Sequence, residues 1–308
     1  MSCKTIIEVL EYFSDNQRCN DLLIQLRWSE GIKCNFCKHD KVYTLQGKNK
    51  RYKCAHCKKQ FSVIKGTIFE NSPIPLSKWF TAIYFVLTDK KGISSIQLAT
   101  YLAVTQKSSW FMLQRIRFML RNRMVKAKLK GLIQIDETFV GGKNKNRHWD
   151  KKVKYSQGRS YKDKTPVLGL LDDTGKIYTF VVPNTKKASI QPLVRKHIEA
   201  DSTIVTDEWK AYRGLEDKYH HEIVDHKRSQ YVNECGFTTN SVEGAWSHLK
   251  RMIIGVYHQV GRKHLQRYCD EFAYRYNTRR ESNDEKFKLA FLKVESRLRY
   301  KDLIRKAA

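Results

Sequence analysis

The sequence predicts a multi-domain α/β protein, with small cysteine-rich and helical segments first and a mixed-sheet domain closed by helices after them. Three observations predict it. Cys34, Cys37, Cys54 and Cys57 form two C-x2-C pairs sixteen residues apart. Helical apolar spacing with Pro and Gly punctuation fills residues 66–128. From Gly131 onward, short apolar runs rich in strand formers alternate with amphipathic helical stretches.

The bulk properties bound the answer. A chain of 308 residues with 41% hydrophobic and 12% aromatic residues has material for two or three cores. Its 59 Lys plus Arg against 31 Asp plus Glu give a formal charge of +28, a field that concentrates polyanions. No apolar run reaches the ~18 residues a membrane span needs, and Glu8 and Glu11 interrupt the stretch where a signal peptide would be apolar. The expectation is a chain without a membrane partner in a reducing interior, where cysteines serve metal sites in preference to disulfides. Nucleic acid is the leading partner.

Residues 1–30 read as an N-terminal helical segment, and residues 31–65 as a zinc ribbon. Each C-x2-C turn presents two thiolates to one point, and four thiolates complete the tetrahedral shell of one structural Zn2+. "KVYTLQGKNKRYKC" places Gly47 and Asn49 between two short runs of strand formers, a hairpin. His39 and His56 lie close by but are not needed as ligands. Lys48, Lys50, Arg51, Lys53, Lys58 and Lys59 surround the hairpin with charge of one sign, and Lys50, Arg51 and Lys53 are candidate phosphate contacts. Cys3, Cys19, Cys235 and Cys269 have no pairing spacing and read as buried small hydrophobes.

Residues 66–128 read as a helix-turn-helix DNA-binding region. After the helix beginning at "PIPLSKWF", Ile96, Leu98, Ala99 and Leu102 make a short apolar face. A turn at Ala103 and Val104 follows, and Thr105 N-caps a second helix through Trp110, Leu113 and Ile116. Gln106, Lys107 and Ser108, with Ser109, would open that helix toward bases and phosphates. Met119 to Gly131 reads as a basic linker.

Residues 129–262 form the mixed-sheet domain. "GLIQIDETFVGG" is a strand carrying Asp136; a polar loop follows, then a hairpin turning at Asp173-Thr174-Gly175. A helix over "KKASIQPLVRKHI", a strand ending at Asp207, the short strand "HEIVDH" and the helix of "TTNSVEGAWSHLKR" complete it. Three strands in meander, a helix, two strands and a helix is the order of the ribonuclease H-like fold, in which strands one and four are neighbours. Asp136 and Asp207, about seventy residues apart, then approach each other. Carboxylates that close repel unless cations lie between them, and a pair of Mg2+ or Mn2+ ions is the usual solution. In the last helix, Asn240 and Glu243 have the spacing of a capping box, which leaves Lys250 unexplained. Glu243 and Lys250 lie ~20° apart in helical rotation, so an acid for metal and a lysine for phosphate share a face, while Val242, Trp246, Leu249 and Ile253 face the sheet. Tyr268, Phe272 and Tyr276 repeat at four and read as helix core; residues 263–308 read as C-terminal basic helices.

Together the ribbon, "GTIFENSPIPLSKWF", "KKGISSIQLA", "IDETFVGG", "VTDEWKAY", "TTNSVEGAWSHLKR" and "HLQRYCDEFAYRYN" resemble the zinc-ribbon insertion-sequence transposases of the DDE type, relatives of the eukaryotic Merlin transposases. The resemblance runs from about Cys19 to Arg279. It implies a ribonuclease H-like catalytic domain, Asp136 as first acid, Asp207 as second and Lys250 as the following lysine. The third position is Glu in some relatives and Asn in others, and this chain offers both Glu243 and Asn240. Ala245 and Met252 stand where similar sequences tend to have an aromatic and a glycine. The implied reaction is Mg2+-dependent strand cleavage at terminal inverted repeats, followed by strand transfer of the freed 3′-OH into target DNA. The implied partners are double-stranded DNA and a second protomer or more; the implied place is the cytoplasm beside the nucleoid, or the nucleus in a eukaryote. Two rival functions remain: a DNA-binding regulator with a catalytically silent sheet domain, and a structure-specific nuclease.

Overall fold

The computed structural model describes residues 5–47, 50–121, 128–141, 148–154, 160, 163–225 and 232–305. Lys48, Asn49, Cys3, most of the linker before Leu129 and most of the polar loop after Val140 lie outside them. The chain divides into two compact units, Met1–Leu120 with Arg280–Ala308, and Arg121–Arg279.

The first unit opens with α1 (Ile6–Ser14) and α2 (Asn16–Arg27), capped by Thr5 and Asp15 side chains that accept the N–H groups of Glu8 and Gln17. The ribbon strands β1 (Val42–Leu45), β2 (Arg51–Cys54) and β3 (Gln60–Ser62) form an antiparallel sheet in that order. Period-two alternation sends Tyr52 and Cys54 inward, to a core shared with Cys34 and Phe61, and Arg51 and Lys53 outward. Ile24 and Trp28 from the end of α2 pack on this core, so the ribbon is backed by the helix that precedes it.

Helices α3 (Leu76–Thr88), α4 (Ser95–Leu102) and α5 (Gln106–Leu120) follow. Ala103 turns the chain between α4 and α5 with φ +46°, and Thr105 Oγ1 accepts the Ser108 N–H at 3.2 Å, the cap expected from sequence. Leu98, Ala99 and Leu102 are buried as expected, but Ile96 is 70% exposed. At 100° per residue, Ile96 falls off the stripe that the other three share.

The tail corrects a sequence expectation. Grouped there as one basic segment from 263 to 308, it divides between the units. Helix α8 (Leu265–Asn277) belongs to the sheet unit, whereas α9 (Asn283–Phe291) returns to the first unit. There Phe287 and Phe291 stack with ring centroids 4.4 Å apart, Phe291 meets Phe80 at 4.9 Å, and Phe287 meets Phe13 at 5.4 Å. Val294, Leu298 and Leu303, the last in α10 (Tyr300–Ile304), are buried as well. A basic stretch thus carries an apolar stripe at spacing four, which its charge conceals.

The second unit is a mixed five-stranded sheet, order β6-β5-β4-β7-β8, built from β4 (Leu132–Val140), β5 (Thr165–Asp172), β6 (Ile177–Val181), β7 (Thr203–Asp207) and β8 (His220–Val224). The first three run antiparallel, and β4–β7 and β7–β8 are parallel. The β5–β6 hairpin turns at Asp173-Thr174-Gly175, with Gly175 at φ +75° and the Asp172 carboxylate accepting the Lys176 N–H at 2.9 Å. One face is covered by α6 (Lys187–His197), whose Ile190 and Val194 join Ile133, Ile135, Leu168 and Ile204. The other is covered by α7 (Asn240–Met252) and α8, through Val242, Trp246, Leu249, Tyr268 and Phe272. Ala245 and Met252 are buried there too, where a larger aromatic at 245 would have to displace its neighbours. Cys19 and Cys269 are buried, but Cys235 is exposed, contrary to expectation.

Candidate active site and zinc centre

Strand β4 lies between β5 and β7, so strands one and four are neighbours, as the sequence order predicts. Their parallel register runs Leu132↔Thr203, Ile133↔Ile204, Gln134↔Val205. Two residues beyond the last pair on each strand stand Asp136 and Asp207, past the end of that ladder; Asp136 is opposite Gly169 of β5, and Asp207 is opposite Val224 of β8. A difference of two keeps each on the sheet face used by its partner in the ladder, the face that α7 covers.

Helix α7 is attached to that face at two points. The Val242 N–H in its first turn donates to Gln134 Oε1 at 3.1 Å, and Trp246 Nε1 donates to Asp136 Oδ2 at 3.0 Å. Thr239 occupies the N-cap position without a capping side-chain bond, and Asn240 is the first helical residue, its own N–H donated to Thr238 Oγ1. The Asn240/Glu243 capping box considered from sequence is therefore not formed: Gln134 supplies a first-turn acceptor. Glu243 and Lys250 are both exposed on α7, seven residues apart.

The Asp136 carboxyl feels the other two acids. Burial is the main force raising the Asp136 carboxyl, to about 6; the Glu137 backbone N–H opposes it, the charges of Asp207 and Glu243 add to it, and the Trp246 N–H opposes it. Asp207 is 7% exposed, and its Oδ1 accepts the Trp209 N–H at 3.0 Å. Among the described residues, however, the four ribbon thiols are the group of potential metal ligands gathered within 4.8 Å; the acids are not drawn that close. Like charge keeps carboxylates apart unless a cation intervenes.

The raised carboxyl has a thermodynamic consequence. An acid whose folded pKa lies above its unfolded value of 3.8 costs stability as it ionises, so stability falls as pH rises from there to about 6 and stays lower above it. Asp136→Asn keeps an acceptor for Trp246 and removes the charge. We expect it to stabilise the sheet unit by about 2 kcal/mol above pH 7, with no gain at pH 3.5. Denaturant unfolding at both pH values, without added divalent metal, checks this.

The zinc centre is more compact. Cys34 Sγ lies 3.6 Å from Cys57 Sγ, and Cys37 Sγ lies 3.6 Å from Cys54 Sγ. Four thiolates at ~2.3 Å from one tetrahedral Zn2+ stand roughly 3.8 Å apart, so the ribbon fits a structural zinc. Burial works against the Cys34 thiolate, but backbone N–H groups of Cys37 and Phe36 outweigh it and lower the thiol to about 6. His39 and His56 stack on each other at 5.4 Å and add no ligand to the thiol group.

The residues expected to meet DNA are placed unevenly. Arg51 and Lys53 point outward from β2. Lys50 pairs with Asp21 of α2, and Lys59 lies over the Phe36 ring at 5.1 Å. Gln106 Nε2 donates to Ser95 Oγ at 2.9 Å, joining α4 and α5; Lys107 lies over Tyr300 at 5.7 Å, and Ser108 bonds Thr105. These three start the expected recognition helix but already serve its packing.

Sequence reasoning missed Gln134, Gly169 and the polar end of Trp246, which it read as core alone. The available signal was Gly169, a lone glycine inside an apolar strand, which marks close approach of another group. It also missed Glu137, whose Oε1 accepts the buried Tyr212 hydroxyl at 2.7 Å.

A thiol cluster with ribbon spacing followed by a mixed five-stranded sheet is the arrangement of this chain, and comparison with known proteins identifies its class. Residues 128–277 match the ISXO2-like transposase domain, and residues 14–60 the transposase zinc-ribbon domain. The chain belongs to the zinc-ribbon, ISXO2-like family of insertion-sequence transposases. It is 28% identical over 290 residues, 91% of this chain and 97% of the relative, to an "uncharacterized protein in transposable element ISH50" of Halobacterium salinarum. An "uncharacterized transposase-like protein" of Haemophilus influenzae is 29% identical over 103 residues, 33% of this chain and 81% of the relative. Two solved Mos1 transposase structures, a paired-end complex with the left transposon end and a pre-cleavage transpososome, are 15% and 11% identical. They cover 70% and 95% of this chain (79% and 97% of theirs), each at TM-score 0.20, too low to carry an argument. Among the described residues, no helix is long and apolar enough to cross a membrane.

Proposed function

We propose that this chain binds the terminal inverted repeats of an insertion sequence and catalyses divalent-metal-dependent strand cleavage and strand transfer, with Asp136, Asp207 and Glu243 as metal ligands. The sheet is read as ribonuclease H-like from its strand order. The observation that carries the proposal is that Asp136 and Asp207 each stand two residues past the ladder joining neighbouring strands β4 and β7, with the charges of Asp207 and Glu243 both acting on the Asp136 carboxyl. An all-carboxylate donor set suits Mg2+ or Mn2+, hard cations that take oxygen ligands. Asp136, Asp207 and Glu243 would hold the metal, which would supply activation of the attacking oxygen and charge stabilisation of the leaving one. Asn240 is the alternative third ligand, one helical turn before Glu243. Lys250, two turns beyond Glu243, is assigned to a DNA phosphate. Both chemical steps are in-line displacements at phosphorus, so one acidic site serves water first and the DNA 3′-OH second. Because two ends must be joined, the working form is a dimer or higher multimer on DNA, acting in the cytoplasm or wherever its DNA resides.

Arg51 and Lys53 are assigned to phosphates. Arg51→Ala/Lys53→Ala should weaken binding equally on all DNA sequences and reduce the slope of log affinity against log salt by about 2. Fluorescence anisotropy across a salt series measures it, and an unchanged slope removes these two from the interface.

The proposal is tested by mixing the full-length protein with Mg2+, DNA carrying the element's own ends, and a target plasmid. Insertions of the end DNA support it. Cuts without joining indicate a structure-specific nuclease, and binding alone a regulator; either result contradicts it.

A further inference from the structure

The first acid is held by a bond that core packing alone does not require. Gly169 stands opposite Asp136 in the β4–β5 ladder. A Cβ there would lie 2.4 Å from Trp246 Cζ2 and 2.6 Å from Cη2, far inside contact distance. The missing side chain is a slot in the sheet face, and the indole of Trp246, 3% exposed, fills it. A buried indole needs an acceptor for its N–H, and a backbone carbonyl would satisfy it. In the slot Nε1 instead reaches Asp136 Oδ2 at 3.0 Å, a bond strengthened by the charge of the carboxylate.

The second attachment shares the same geometry. Gln134 and Asp136 lie two residues apart on one face of β4, a spacing of about 6.8 Å. Their partners on α7, the Val242 N–H and the Trp246 indole, lie four residues apart, about 6 Å along a helix. The matched spacings fasten the helix to the strand, with Glu243 between the two fastening points.

We infer that Trp246 is a positioning residue of the acidic site, and that Gly169 is the position which admits it. Its N–H fixes the Asp136 carboxylate through Oδ2 and ties the strand of the first acid to the helix of the third. This rests on the catalytic reading given above. Partners that orient metal-binding carboxylates typically matter by about 10- to 100-fold in metal affinity or activity.

The test replaces Trp246 in the full-length, zinc-loaded protein with β-(3-benzothienyl)alanine, which keeps the bicyclic shape and puts sulfur where the N–H was. Trp246→Phe and Asp136→Ala accompany it. Mn2+ binding in the absence of DNA is read from the electron paramagnetic resonance signal of the free ion, with Asp136→Ala defining background. Thermal unfolding and the Mg2+ dependence of end cleavage are measured alongside. The isostere is expected to fold and bind end DNA as wild type does. Its Mn2+ affinity should fall about 10- to 100-fold, its Mg2+ midpoint for cleavage should rise equally, and saturating Mn2+ should restore cleavage. Wild-type Mn2+ affinity in the isostere overturns the inference, leaving Trp246 as packing alone, and does so even if Trp246→Phe fails to fold. Retained cleavage in Asp136→Ala is a separate outcome: it overturns the catalytic reading, and the inference falls with it.

Discussion

Asp136→Ala is expected to abolish end cleavage and joining, a loss of about 10³-fold or more, with affinity for end DNA retained or improved. The size follows from what the residue does. Asp136 and Asp207 each stand two residues past the β4–β7 ladder, and the Asp136 carboxyl feels the charges of both Asp207 and Glu243. In the proposed metal cage the loss of one carboxylate disables the whole, so Asp207→Ala should cost as much, and the double variant little more than either single. DNA affinity moves the other way because a negative charge near the phosphates is lost. Glu243→Ala and Asn240→Ala, run beside it on a denaturing gel, assign the third ligand: the variant that matches Asp136→Ala removes a ligand, and the one that cleaves does not. Cleavage by Asp136→Ala at the wild-type rate would leave only DNA binding to this chain.

The second large effect is in the ribbon. Its apolar core holds Cys34, Tyr52, Cys54 and Phe61, with five partly buried neighbours, too little to fold a segment of this size alone. Structural zinc supplies about 10–16 kcal/mol of binding free energy to such units. Cys34→Ser is expected to lose the zinc and unfold residues 31–65, while the unfolding transition of the sheet unit stays in place. Zinc content by atomic absorption and limited proteolysis report the two halves of this expectation. A variant that keeps its zinc would refute the ribbon assignment.

What was legible in the sequence was whatever rests on local spacing. The C-x2-C pairs, the Thr105 cap, the Asp173-Thr174-Gly175 turn and the inward stripe of α7 all appear where local rules put them. The adjacency of β4 and β7 followed from element order alone. What escaped depends on contacts between distant residues. Gln134 as acceptor for α7 and Gly169 as slot for Trp246 leave no periodic trace, and Gln134 reads as one polar residue in a strand. The tail was misread for a different reason: net charge dominates its composition, while Phe287 and Phe291 determine where it packs. Lys50, Gln106 and Lys107 show the limit of reading charge as interface, since each already has an intramolecular partner.

The proposed catalysis requires three side chains from two strands and a helix to converge on divalent metal. The most direct measurement loads the protein with Fe2+ in place of Mg2+ and generates hydroxyl radicals with ascorbate and peroxide, then maps the backbone cuts. Cuts clustered at residues near 136, 207 and 243, suppressed by excess Mg2+ and absent in Asp136→Ala, are the predicted result. Cuts confined to other segments, or the same pattern in Asp136→Ala, would contradict it.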